Sequence, residues 1–184
     1  MKTNKKITTK QLVFSAMAIA LAVVISVAIK LPSLPNGGSV TLFSMLIVTL
    51  VGYWYGPALG IMAAVGYGIL QFITGPYVVH PIQVVIDYPL AFGALGLSGF
   101  FSKSKNGLIK GYLAGVLGRF FFACLSGVIF YTVYVGSWGE NLIAIWGSIV
   151  YNMTYIVPEA VITLVLLAVP GVKNSLVKIK EMAL

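Results

Sequence analysis

Six apolar stretches, separated by short proline- and glycine-rich breaks and bordered by lysines, dominate this chain. Crossing ~30 Å of hydrocarbon at 1.5 Å of helical rise takes about 20 apolar residues. With no water in the bilayer core, each spanning segment must satisfy its backbone N–H and C=O groups internally, which a helix does. The stretches therefore read as helical spans at about 11–31, 40–55, 57–74, 82–101, 108–132 and 142–169. Pro32 to Gly38, Gly56-Pro57, Gly75-Pro76, His80-Pro81 and Pro170-Gly171 punctuate them, because proline and glycine stop or turn helices. The expected fold is all-α and integral to the membrane, with six transmembrane helices forming one domain over 1–184. Charged residues make up 9% of the 184 and hydrophobic ones 59%. A soluble domain carries roughly 25% charged residues, so most of this surface is not built to face water.

The net charge of +8 is informative through its placement. Lys2, Lys5, Lys6 and Lys10 precede the first span, Lys103, Lys105 and Lys110 surround the break after the fourth, and Lys173, Lys178 and Lys180 follow the sixth. With six spans all three clusters fall on one side, and lysine-rich flanks mark the cytoplasmic side. Both termini are accordingly expected in the cytoplasm of a multi-pass cell-membrane protein. Lysines beside spans suit anionic headgroups, and nothing further points to nucleic acid. The lone Cys124 excludes an internal disulfide. The basic start runs through Ala-rich 16–22 without a polar cleavage region, so the first span reads as a retained helix.

No P-loop pattern, paired cysteine or His–His spacing occurs, and there is a single histidine. The chain is thus not expected to hydrolyse ATP, hold a metal, use a cofactor or act as an enzyme. Function should lie with the ionisable residues inside spans, where each is costly. Asp87, followed by Tyr88 near the outer end of the fourth span, suits an organic cation that needs a counter-charge and a π-face. Arg119 and Glu159 sit near mid-depth in the fifth and sixth spans and are expected to form a structural ion pair. Trp146, Gly147, Tyr151, Asn152 and Tyr155 open the sixth span, with Tyr151 and Tyr155 on one face. Asn152 offers a donor and acceptors for a ring edge, and Tyr131 ends the fifth span on the same side. Loops 75–81 and 133–141 carry Tyr77, Tyr134 and Trp138, which form either an interfacial aromatic belt or a lid over a pocket. Ala16 and Ala20, four apart in the first span, allow close approach of another helix, in the bundle or on a partner subunit.

The runs Asn36-Gly37-Gly38-Ser39-Val40, His80-Pro81-Ile82-Gln83 leading to Asp87-Tyr88, Leu125-Ser126-Gly127-Val128-Ile129-Phe130 and Tyr151-Asn152-Met153-Thr154-Tyr155-Ile156-Val157-Pro158 resemble the thiamine-specific S components of energy-coupling factor (ECF) transporters. The likeness runs from the first span to the sixth in the same order. It implies a six-helix S-component fold with an outward pocket roofed by loops, binding thiamine and docking to a membrane coupling protein with two cytoplasmic ATPases. It places the coupling-protein contact on Ala16 and Ala20, the acidic pocket residue on Asp87, and pocket aromatics on Tyr88, Tyr77, Tyr131 and Trp138. The pocket asparagine falls on Asn152. Three family positions differ: a pocket histidine falls on Ala123, a tyrosine on Gly147 with Trp146 adjacent, and a first-loop tryptophan near Gly37. These departures keep pyridoxine or a hydroxymethylpyrimidine as alternative ligands. A stand-alone proton-coupled transporter using Asp87 or Glu159 is the reading from another class.

Overall fold

The computed structural model describes residues 7–135 and 141–184, apart from the side chains of Asn36, 131–135 and Asn141. Its long helices are α1 (Thr9–Ala28), α2 (Ser44–Tyr55), α3 (Pro57–Thr74), α4 (Pro81–Phe101), α5 (Gly107–Val135), α6 (Asn141–Ala168) and α7 (Pro170–Ala183). Five of these, α1 and α3 to α6, are long and apolar enough to cross a bilayer.

The second expected span is shorter than its apolar run. α2 has 12 residues, about 18 Å at 1.5 Å per residue, and nine of them are buried. Residues 29–31 and 40–42 leave the helices because they pair with each other. Leu31 N–H donates to Val40 C=O at 3.0 Å and Leu42 N–H to Ile29 C=O at 3.3 Å. The chain thus ends α1 at Ala28, folds back through Gly37 at φ +86°, and enters α2 only at Ser44. Gly37 is needed here because L side chains rarely tolerate that φ.

The fourth span is not a uniform helix. An α-helical turn (Pro81–Val85) passes into a π-helical turn (Ile86–Leu90), a short α segment and a 3₁₀ stretch (Ala94–Phe101). Pro89 lies inside the π turn. It has no N–H to give to the carbonyl four residues back, so the ladder must be rebuilt around it. Ala91 N–H reaches Ile86 C=O, five residues back.

Small residues and buried hydroxyls bind these helices together. Ser98 Oγ in α4 donates to Thr49 C=O in α2 at 2.8 Å, and Ser148 Oγ in α6 to Cys124 C=O in α5 at 2.9 Å. Gln71 in α3 donates to Ser26 Oγ in α1 at 2.6 Å. α7 continues beyond the last expected span and lies against the lysine-bearing turn 102–106. Lys180 Nζ donates to Ser102 C=O and sits 3.8 Å from the Tyr53 ring centre, while Lys173 reaches Asn106 Oδ1 at 3.2 Å. α1 buries only Ser15, Ala18, Ala22 and Ser26. Its other face, with Leu12, Met17, Leu21 and both Ala16 and Ala20, is exposed.

Candidate ligand-binding site

Helices α1, α3, α4, α5 and α6 enclose a cavity of about 550 Å³, roofed by the loops 29–42 and 75–80. Sites for small organic ligands commonly measure roughly 300–1,000 Å³. Asp87, Tyr88, Tyr77, Tyr151 and Asn152 all line it, so five of the candidate ligand residues, drawn from a loop and two helices, converge on one space.

The π turn around Pro89 carries Asp87 and Tyr88 to this wall. Gln83 Nε2, one turn earlier, donates to Asp87 Oδ2 at 2.7 Å, and the Ser126 hydroxyl of α5 is its second polar neighbour. Gln83 Oε1 in turn accepts from Val79 N–H at 2.8 Å. The carboxylate is thus aimed by a side chain that also fastens the loop above it. Gly68 on α3 lets the π turn sit where it does: a Cβ there would lie 2.4 Å from Tyr88 C=O.

Tyrosine hydroxyls tie down the roof. Tyr88 Oη accepts from Tyr77 N–H at 2.9 Å and donates to Gly75 C=O at 3.3 Å. Its ring packs edge-on against Phe72, centroids 5.2 Å apart. Tyr151 Oη accepts from Gly38 N–H at 2.8 Å and donates to Pro35 C=O. These rings can present faces to a ligand, but their hydroxyls already hold loops. Asn152 is buried, with Nδ2 donating to Ser148 C=O at 2.9 Å and Oδ1 accepting from Tyr155 Oη.

The expected Arg119–Glu159 ion pair is not made; no such contact occurs among the described residues. Glu159, 1% exposed, instead caps the N-terminus of α2. Its oxygens accept from Met45 N–H at 3.1 Å, Thr41 N–H at 3.3 Å, Ser44 Oγ at 3.2 Å and Thr41 Oγ1 at 3.2 Å. Helix N-termini leave N–H groups unpaired and carry partial positive charge, so the carboxylate finds its compensation there. Arg119 lies over the Phe92 ring, 4.3 Å from its centre, at the inner end of the cavity.

Trp146 does not take the place left at Gly147. It is 64% exposed and off the cavity, which Gly147 itself lines. One residue along a helix turns the side chain by about 100°, enough to move it from cavity to outer surface. Trp138 lies outside the described residues, as does the side chain of Tyr131. The residues missed by sequence reading are Gln83, Ser126 and Ser148. Gln83 and Ser126 left a trace only as members of the runs that carry the resemblance, Gln83 four residues before Asp87 on the same helical face.

The family model described as "Thiamine transporter protein" matches residues 12–179. The chain belongs to the thiamine transporter family. It is 31% identical over 170 residues to thiamine transporter ThiT of Bacillus subtilis, covering 84% of each chain. It is 29% identical over 114 residues to thiamine transporter ThiT of Lacticaseibacillus paracasei, covering 52% of this chain and 57% of that one. A solved structure of ThiT from Listeria monocytogenes has the same fold, with a TM-score of 0.65 at 24% identity over 88% of this chain and 96% of that one. The family is one of membrane transporters, not of enzymes.

Proposed function

We propose that this chain is the substrate-capture subunit of an ECF-type vitamin importer, binding thiamine from outside for uptake driven by separate ATPase subunits. The observation that carries the reading is a carboxylate, Asp87, held in a membrane-embedded cavity among Tyr77, Tyr88 and Tyr151. A flat organic cation with an exocyclic amine finds there a counter-charge and π-faces. The family name and that of the curated relatives support thiamine as the ligand. Tyr131 and Trp138 are assigned stacking roles and Asn152 an edge-reading role beside Ser148. The exposed Ala16–Ala20 stripe is assigned to a membrane coupling subunit. In this reading both termini and α7 face the cytoplasm and the loops 29–42 and 75–80 face outward.

Pyridoxine or a hydroxymethylpyrimidine remains the second reading, favoured by the space that Ala123 and Gly147 leave beside the cavity. A proton-coupled carrier working through Glu159 has less support, since that carboxylate is fully engaged in capping α2. Calorimetric titration of the purified protein with thiamine, pyridoxine and riboflavin tests the assignment. Thiamine is expected to bind tightly; silence toward thiamine with tight binding of pyridoxine would overturn it.

A further inference from the structure

Gln83 joins the ligand-facing carboxylate to the roof. It is 5% exposed, lies one turn before Asp87 on α4 and lines the cavity. Its Nε2 donates to Asp87 Oδ2 at 2.7 Å and reaches Tyr77 C=O at 3.4 Å, while its Oε1 accepts from Val79 N–H at 2.8 Å. One amide is thus shared between the group that meets the ligand and the loop 75–80 above it.

The two ends of that amide are not interchangeable. Val79 N–H can only donate, so an oxygen must face it. An ionised carboxylate can only accept, so the NH₂ must face Asp87. Turning the amide over sets donor against donor and acceptor against acceptor, and buried polar groups left unpaired in that way are costly. Hydrogen bonds in such a chain also polarise and strengthen one another. The carboxylate keeps room for a ligand beside Gln83, because its two oxygens offer about four lone-pair sites and the Ser126 hydroxyl is its other polar neighbour.

The start of α4 does not rely on Gln83. His80 Nδ1 accepts from Ile82 N–H at 3.1 Å, Pro81 occupies the first turn, and the His80 ring stacks on Phe130 with centroids 5.5 Å apart. Tyr88 Oη holds Tyr77 N–H and Gly75 C=O separately. Those contacts anchor the loop without involving the Asp87 carboxylate. The Gln83 contact runs through it.

We propose that Gln83 is a positioning residue that couples capture of the ligand's exocyclic amine by Asp87 to closure of the loop 75–80. An amine on Asp87 restrains the carboxylate, which holds Gln83 and through it Val79; a closed loop in turn keeps Asp87 aimed. Amine and loop each slow the other's release. The inference rests on the thiamine reading, with Asp87 as the counter-charge, and deepens it.

The test is stopped-flow fluorescence on purified full-length protein with thiamine and with an analogue whose exocyclic amine is replaced by hydrogen. Gln83→Met keeps the length of the side chain but neither hydrogen bond. It is expected to speed thiamine dissociation about fivefold to tenfold, the worth of one hydrogen bond, with association within about twofold of wild type. Dissociation of the analogue should be the same in both proteins, since the analogue gives Asp87 nothing to hold. Hydrogen exchange over residues 77–80 gives a second readout. Saturating thiamine should slow it in wild type but not in Gln83→Met, nor in Asp87→Asn, whose single acceptor oxygen cannot serve both Gln83 and the amine. Should Gln83→Met fail to fold, or the analogue bind too weakly to follow, the exchange comparison between wild type and Asp87→Asn still decides. Equal acceleration for thiamine and the analogue would reduce Gln83 to a loop anchor and overturn the coupling, as would undiminished protection in Asp87→Asn. Unchanged thiamine dissociation in Gln83→Met would overturn it too. Those outcomes leave the thiamine reading standing, whereas wild-type silence toward thiamine would overturn both.

Discussion

At the residue scale the two membrane-embedded carboxylates have different work. Asp87 keeps one side-chain hydrogen bond from Gln83 and faces the cavity. Asp87→Asn preserves shape but removes the charge, so the ligand should bind at least tenfold more weakly, about 1.5 kcal/mol, by calorimetry. Glu159 is internal to the fold. Glu159→Gln places an amide N–H₂ among the donors of Thr41, Ser44 and Met45. Losing part of a buried, charge-assisted cap should cost about 1–3 kcal/mol, seen as a lower unfolding temperature in detergent without ligand. A Glu159→Gln protein with unchanged stability would remove the capping role. Asp87 could be picked out from sequence because a charge within an apolar run stands out. The role of Glu159 could not, because its partners lie more than a hundred residues away in the chain.

Among the elements, α4 and the first loop shape the cavity. The π turn at Ile86–Leu90 packs against Gly68 so closely that a Cβ would meet backbone, which cannot swing aside as a side chain does. Gly68→Ala should therefore displace the turn carrying Asp87 and Tyr88, at about 1–3 kcal/mol for an overpacked contact. Its ligand affinity should fall although no ligand-facing atom is altered; a variant with wild-type affinity and stability would contradict the packing account. The first loop depends on Tyr151, whose hydroxyl holds Gly38 and Pro35. Tyr151→Phe keeps the ring and releases the loop, so ligand dissociation followed by stopped-flow fluorescence should speed up several-fold. An unaltered rate would show that the loop does not govern exit. Pro89 and Gly68 were legible in the sequence only as residues inside the fourth and third expected spans. Their meeting across two helices was not, since it depends on how α3 and α4 pack.

For the whole molecule, the roof of the cavity and the basic turn 102–106 with α7 belong to different regions of the bundle. The exposed Ala16 and Ala20 lie on a face of α1 that does not reach the cavity. On the proposal that this stripe docks a coupling subunit, replacing both with leucine should abolish thiamine uptake by cells while leaving calorimetric affinity within about twofold of wild type. Uptake that survives the double substitution would overturn that proposal.

By itself the sequence determined membrane residence, the order of the helices and the convergence of Asp87, the tyrosines and Asn152 near one end. Hydrophobic length and isolated polar residues carry that information locally. Tertiary structure decided what those residues do when they meet. It shortened α2 by pairing 29–31 with 40–42 and turned Trp146 outward while Gly147 faced the cavity. It also gave Glu159 to a helix end, leaving Arg119 without that partner. The physical reason is that a buried polar group takes whichever partner packing brings within about 3 Å, and spacing along the chain does not encode that distance.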